Sequence, residues 1–84
     1  MTDAAKPYSL IARYFARTSV AWRSFFIVLS AHKTFSEAAD AFMRITRKQL
    51  ARRYKKKRGE ALEEIRLEIY KNERRIRPTT KFLF

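Results

Sequence analysis

The sequence predicts an all-α fold, a small three-helix domain with an extended C-terminal tail. The chain has 84 residues with one Gly and two Pro, and so few turn-forming residues favour a few helices over many short strands. A hydrophobic content of 46% excludes full disorder. Apolar residues in the first third recur at steps of three, four or seven, the spacing of a helix face. We therefore expect residues 1–84 to form a single helical domain.

The chain is short for a self-sufficient core, and it has no cysteine that could supplement one with a disulfide or a thiolate metal site. Residues 1–6 are expected to be a loose N-terminus, and Pro7 suits the first turn of a helix. Helix 1 is predicted over about residues 8–31. Its apolar stripe consists of Tyr8, Ile11, Phe15, Trp22, Phe25 and Leu29.

Helix 2 is predicted to begin after Thr34, because the run Thr34-Phe35-Ser36-Glu37 fits the capping-box pattern. Ser36 is a second plausible N-cap. The apolar stripe of this helix includes Phe42 and Ile45, and it fails beyond Arg53. Helix 2 should therefore leave the core near Tyr54 and continue as an exposed basic arm or fray.

The only glycine, Gly59, is predicted to be the C-cap of helix 2, and helix 3 is predicted over residues 60–76. A single rod running through Gly59 is the alternative. Residues 77–84 are expected to form an extended tail that packs on the helices or docks on a neighbour. The expected core comprises Ile11, Phe15, Trp22, Phe25, Leu29, Phe35, Phe42, Ile45, Leu62, Ile65 and Ile69.

The most informative feature for function is the basic segment, residues 44–58, which has nine Lys or Arg in fifteen positions and no acid. The whole chain carries a formal net charge of +12. A charge this one-sided costs the compact state self-repulsion, and it indicates a polyanionic partner. The predicted nucleic-acid-binding residues are Arg44, Arg47, Lys48, Gln49, Arg52, Arg53, Lys55, Lys56, Lys57 and Arg58.

Catalysis finds little support in the sequence. There is one His, and neither a Gly-rich phosphate loop nor a nucleophile-elbow motif occurs. No His, Cys or Asp cluster has the spacing of metal ligands, so neither a metal nor another cofactor is expected. A membrane surface is a disfavoured partner, because the aromatic residues and the basic residues fall on different predicted helices. The most apolar stretch is also too short to span a bilayer.

Residues 34–54 resemble the helix-turn-helix of LysR-type transcription regulators. Phe35-Ser36-Glu37-Ala38-Ala39 matches the opening of that motif, and the run from Ile45 to Leu50 matches the start of its second helix. An extra residue at Met43-Arg44 and the lack of a Gly in the turn depart from the pattern. The resemblance covers about a quarter of the chain. An unbroken amphipathic helix is the simpler prediction, and the chain is assigned to no family.

The sequence thus predicts a non-catalytic protein that binds DNA or RNA, a small regulator or a subunit of a nucleoprotein assembly, with phosphates contacted by a basic helix. The alternative is a protein-interaction module, a small subunit or inhibitor that docks its basic face on an acidic or nucleic-acid-binding groove of a larger complex. A homo-oligomer is compatible with both. We expect an intracellular location, in the cytoplasm or the nucleoid. Trp22 is expected to be buried in the core.

Overall fold

The computed structural model describes residues 5–76 and 79–84, and it shows an antiparallel sheet with a helical layer on one face. About half of the chain is strand. The elements in chain order are β1 (Tyr8–Arg17), β2 (Trp22–His32), α1 (Phe35–Arg44), α2 (Arg47–Arg52), β3 (Ala61–Lys71), β4 (Arg74–Arg75) and β5 (Thr80–Leu83). The prediction of an all-α three-helix domain is therefore wrong.

The sheet is built around β1, which pairs with β2 on one side and β3 on the other. β4 pairs with the last residues of β3, and β5 pairs with the middle of the same strand, so both short strands line one edge. Residues 33–60 connect β2 to β3 and carry both helices. Each long pairing contains one register irregularity, between Leu10 and Ile11 against β2 and between Phe15 and Ala16 against β3.

The core lies between the sheet and the helices. Alternate residues of β1, from Leu10 to Ala16, are at most 2% exposed, as expected for one face of a strand. They pack with Ile65, Leu67 and Ile69 of β3. The helices close the core from above. Their buried residues are Ala38, Phe42 and Leu50.

The predicted helix 1 is replaced by β1 and β2, and the predicted helix 3 is replaced by β3. In β3 the run Ile65-Arg66-Leu67-Glu68-Ile69 alternates strictly, and its apolar members are all buried. Residues 22–29 include a run of aromatic and β-branched residues, which favour strands. The predicted stripe of helix 1 combines residues from opposite faces of the sheet. Ile11 and Phe15 lie on the uncovered face, whereas Phe25 packs against the core.

The turn between β1 and β2 contains neither Gly nor Pro, which hid it from the sequence analysis. The Thr18 hydroxyl accepts hydrogen bonds from the backbone N–H groups of Val20 and Ala21, at 3.3 and 3.0 Å. The Thr18 N–H donates to the Ala21 carbonyl at 2.8 Å. A threonine side chain can thus replace a backbone turn partner. The predicted helix 1 is interrupted here by a hairpin.

The predicted helix 2 exists in part. Thr34 is the N-cap of α1, and its hydroxyl accepts from the Glu37 N–H. The helix ends at Arg44, because Ile45 and Thr46 are extended. Thr46 then caps α2 through a complete capping box with Gln49.

The expected core is partly wrong. Ile11, Phe42, Ile65 and Ile69 are buried, whereas Trp22 is 64% exposed and Phe35 is 39% exposed. Trp22 lies on the sheet face that the helices leave uncovered, so a helical stripe could not have placed it.

The tail lies against its own chain. β5 pairs antiparallel with β3, and Phe82 packs on the core. Arg77 and Pro78, where the sequence analysis ended helix 3 and began the tail, lie outside the described residues, as do the first four residues of the predicted loose N-terminus. In the described part of the chain no helix is long and apolar enough to cross a membrane.

Candidate nucleic-acid interface

The ten predicted binding residues do not lie on one helix. Arg44 ends α1, α2 carries four of them, Arg53 caps α2, and Lys55 to Arg58 belong to the loop before β3. The predicted basic helix is therefore a short helix followed by a basic loop. All ten residues still belong to a single connection, residues 33–60, which packs on the covered face of the sheet through α1 and α2.

Three of the ten residues have structural partners. Arg44 forms an ion pair with Asp40 at 3.2 Å, one turn earlier on α1. Arg47 donates two hydrogen bonds to the Leu83 carbonyl, at 3.2 and 3.0 Å, and its guanidinium lies 4.0 Å from the centre of the Phe84 ring. The Gln49 side chain accepts from the Thr46 N–H in the capping box. Arg47 and Gln49 are held by contacts within the fold, whereas the Arg44–Asp40 pair lies on the surface, with side chains 78% and 61% exposed.

The other seven residues are called the free cations here. Among the described residues, none of them has a carboxylate oxygen within 4.0 Å, and all are exposed. The free cations are Lys48, Arg52, Arg53, Lys55, Lys56, Lys57 and Arg58. Seven like charges within eleven positions repel one another in the folded protein. Nothing in the described chain offsets that repulsion, whereas a polyanion would.

A buried carboxylate holds the basic loop in place. Glu60 is 3% exposed and accepts two hydrogen bonds of 2.7 Å from the Arg23 guanidinium. It also accepts from the Tyr54 hydroxyl at 2.5 Å and from the Lys57 N–H at 3.3 Å. The hydrogen bonds from Arg23 and Tyr54 lower the pKa of Glu60 to about 2. Glu60 therefore joins both ends of the loop to the first residues of β2.

Tyr54 completes this anchor from the other side. Its ring is stacked against those of Tyr14 and Phe25, with centroids 6.2 and 6.4 Å apart. Burial, together with the hydrogen bond to Glu60, raises the pKa of Tyr54 to about 12. With Tyr54 held in the core and Glu60 below it, the side chains of residues 55–58 are left in solvent.

Gly59 has a different role from the predicted helix C-cap. α2 ends at Arg52, and its C-cap, Arg53, lies six residues before Gly59. The Glu60 N–H donates to the Lys57 carbonyl at 3.1 Å, which closes a four-residue turn with Gly59 at its third position. The φ of Gly59 is +74°, a value that a type II turn requires there and that glycine adopts without strain. The turn directs the chain from the basic loop into β3.

The uncovered face of the sheet carries the second group of candidate residues, which we call the open face. It has three arginine–aromatic pairs, with guanidinium-to-ring-centre distances of 4.5 to 5.6 Å. The pairs are Arg13 over Phe26, Arg17 over Trp22 and Arg66 over Phe15. Phe26 and Val28 are 56% and 45% exposed, so with Trp22 they leave a sizeable apolar area in solvent.

Charges on the open face are compensated, unlike those of the basic loop. Arg13 lies 3.5 Å from Glu68, Arg17 lies 3.0 Å from Glu63, and Arg66 contacts Glu64. Arg13 also donates to the Tyr70 hydroxyl at 3.3 Å. Burial of the Arg13 guanidinium opposes its charge, but its contacts with Tyr70 and Glu68 outweigh this and raise its pKa. Glu68 also lies 3.3 Å from Arg75, so the open face presents rings and guanidinium planes whose positive charge is largely, not fully, compensated.

Two depressions mark this face and its end. One, of about 250 Å³, lies on the face itself, among residues that include Ile11, Phe26 and Tyr70. The other, of about 320 Å³, lies between the β1–β2 turn at Thr18 and the loop residue Gly59. The basic loop therefore reaches the end of the sheet that carries Arg17 and Trp22.

The sequence analysis did not identify the open-face residues as a site. Trp22 was assigned to the core. Once residues 22–28 are recognised as a strand, every second side chain points away from the core. An arginine then lies opposite an aromatic residue in two cross-strand pairs, Arg17 with Trp22 and Arg13 with Phe26.

Other expectations have a simple structural outcome. The only histidine, His32, ends β2, and its Nε2 lies 2.7 Å from the Ser30 hydroxyl. Within residues 5–76 and 79–84, no group of three or more His, Asp or Glu is arranged to hold a metal ion. The helix break at Ile45 matches the helix-turn-helix resemblance, but α2 has six residues and buries Leu50 against the sheet.

Comparisons with known proteins give no assignment. No protein-family model, no curated protein and no solved structure shows a significant match to this chain. The function must therefore be argued from the residues of the chain itself.

Proposed function

We propose that this protein is a non-catalytic nucleic-acid-binding module that contacts phosphates through the free cations of α2 and the basic loop. The observation that supports the proposal is that no nearby carboxylate compensates the charge of the free cations. Seven exposed cations fall within eleven positions with no carboxylate within 4.0 Å among the described residues, whereas the other described arginines are mostly paired.

The proposed set of phosphate-binding residues is smaller than the set predicted from the sequence. Arg44, Arg47 and Gln49 are omitted because each of these side chains has a partner within the protein. The phosphate-binding element is also more a loop than a helix. The loop suits this role, because the Glu60 anchor holds its ends while four long side chains stay in solvent. Lys and Arg side chains of this kind can each neutralise a phosphate and release its counterion.

The test compares two fourfold variants that remove the same charge. The loop variant changes Lys55, Lys56, Lys57 and Arg58 to Gln. The matched control changes four exposed cations elsewhere to Gln, Lys6, Lys33, Arg74 and Lys81. Fluorescence anisotropy of labelled DNA and RNA, titrated at several salt concentrations, gives the affinity and its salt slope.

We expect the loop variant to bind at least about tenfold more weakly at low salt, because direct phosphate contacts are lost. Each lost contact should flatten the slope of log affinity against log salt by about 0.9 for duplex DNA or about 0.7 for a single strand. The control variant should lose less affinity and keep a steeper slope. Equal losses in the two variants would contradict a localised site.

A wild-type protein that binds neither DNA nor RNA at low salt would contradict the proposal as a whole. That result would favour the alternative already raised by the sequence, in which the polyanion is an acidic protein surface. Circular dichroism melts of both variants control for folding. All eight substituted side chains are exposed and lack ion pairs within the described residues, so both variants should fold.

A further inference from the structure

We infer that the open face binds the bases of a single-stranded nucleic acid, by stacking on Trp22 and Phe26. The inference rests on the proposed function and specifies its ligand. In this arrangement the basic loop holds phosphates at one end of the sheet, and the unpaired bases extend across the sheet face.

The open face offers the kinds of side chain on which unpaired bases stack. Bases of a duplex are stacked on one another and offer no free ring face, whereas unpaired bases can stack on aromatic side chains and guanidinium planes. The open face presents both groups together. Trp22 and Phe26 are more than half exposed, and each has an arginine of β1 beside its ring, at 5.3 and 5.6 Å from the ring centre.

The arginines beside the open-face rings are held in place by ion pairs. Each of those arginines is also held by a glutamate, Arg17 by Glu63 and Arg13 by Glu68. A ring with its adjacent guanidinium is therefore already positioned in a regular strand. A surface of this kind loses little conformational entropy when a base stacks on it.

The basic loop and the open face meet at one end of the sheet. The depression beside Thr18 and Gly59 lies between the end of the basic loop and Arg17, whose guanidinium contacts Trp22. The second depression lies beside Phe26 on the same sheet face and shares no lining residue with the first. The basic loop and the Trp22 ring thus lie toward the same end of the sheet, and Phe26 lies further along the face.

Charge favours this occupant over a second copy of the chain. A dimer through the open face would bring together two chains of formal net charge +12, and the basic loop of each lies at the end of that face. A nucleic-acid strand reduces this repulsion, because it carries the opposite charge.

Trp22 is the only tryptophan, so its emission reports directly on the face. The probes are a single-stranded oligonucleotide of about 15 nucleotides, as DNA and as RNA, and a duplex of the same length. We expect the single strand to quench Trp22 emission as it binds, and to bind more tightly than the duplex.

Trp22→Ala and Phe26→Ala should each weaken single-strand binding by roughly five- to a hundredfold, the usual effect of removing one stacking ring. Their salt slopes should stay at the wild-type value, because no phosphate contact is removed. Trp22→Phe should restore most of the affinity. Val20→Ala, at an apolar turn position that is 90% exposed, should bind like the wild type.

The outcomes separate this inference from the proposed function. If Trp22→Ala and Phe26→Ala bind normally while the loop variant is impaired, the open face is not the base site and the proposed function stands. Duplex binding as tight as single-strand binding would also overturn the inference. A Trp22-dependent dimer in sedimentation analysis would identify a second copy as the occupant. If the wild type binds no nucleic acid at all, the proposed function itself fails.

Discussion

The two faces of the sheet share the same strands but differ in how far their large side chains are buried. On the covered face, Tyr14, Ile65 and Ile69 have no exposed surface and pack under the helices. On the open face, large rings lie in solvent beside arginines that are each paired with a glutamate. The covered face holds the hydrophobic core, whereas burial on the open face is limited to a smaller group that includes Ile11 and Glu68. A substitution should therefore affect stability or binding according to the face it lies on.

The largest stability effect should come from the covered face. Ile65→Ala removes a fully buried side chain of the central part of β3, opposite Tyr14 and Phe82 in register. We expect a loss of about 2–5 kcal/mol in the free energy of unfolding, from lost burial and a residual cavity. Thermal or urea denaturation measures it. Leu83→Ala, at a site 69% exposed, is the control and should change stability by less than about 0.5 kcal/mol. Similar losses in both variants would show that the two faces are equally covered.

The Glu60 anchor, at the end of the sheet, should give the next effect, and it depends on pH. The pKa of Glu60 is about 2 in the folded protein, against an ordinary value of 4.5. Its contribution to stability is therefore present above about pH 4.5 and is lost as pH falls through about 2. Glu60→Gln should be less stable than the wild type at neutral pH, and the gap should narrow across that window. Parallel stability curves for the two proteins would contradict the assigned anchor.

The smallest stability effect should come from the open face. Trp22→Ala removes an exposed ring whose centre lies 5.3 Å from the Arg17 guanidinium. We expect the free energy of unfolding to change by less than about 1 kcal/mol, the range of an exposed cation–π contact. The helical prediction placed Trp22 in the core and implied a loss of roughly 3–5 kcal/mol. Thermal denaturation distinguishes the two values directly, and a loss in the larger range would mean that the open face is covered in solution.

Some local features were predictable because they depend on neighbouring residues. Thr34 caps a helix as its position before Phe35 and Glu37 suggested. The free cations are exposed, as a run of cations without acids must be. The alternation of Ile65, Leu67 and Ile69 was also present, and the choice of a helical stripe through Leu62 and Ile65 missed it.

Other features could not be predicted from local pattern. The helix of residues 8–31 was expected because its apolar residues lie at steps of three and four, but β1 and β2 have apolar residues on both faces, which obscures the period of two. The hairpin turn depends on the Thr18 hydroxyl and not on Gly or Pro. The binding residues predicted from the sequence included an error with a related cause. Arg47 was counted as a phosphate ligand, because its partner, the Leu83 carbonyl, is 36 positions away in sequence.

The sequence by itself determined the charge of this protein, the position of its basic segment and the first cap of its helical layer, because these follow from composition and short-range hydrogen bonding. The tertiary structure alone decided which cations are free, which rings are buried and where the loop is anchored. Glu60 contacts Arg23 across 37 positions, and Trp22 is exposed only because the helices cover the opposite face. Long-range pairing of strands sets these outcomes, since it determines which side of each strand meets the core.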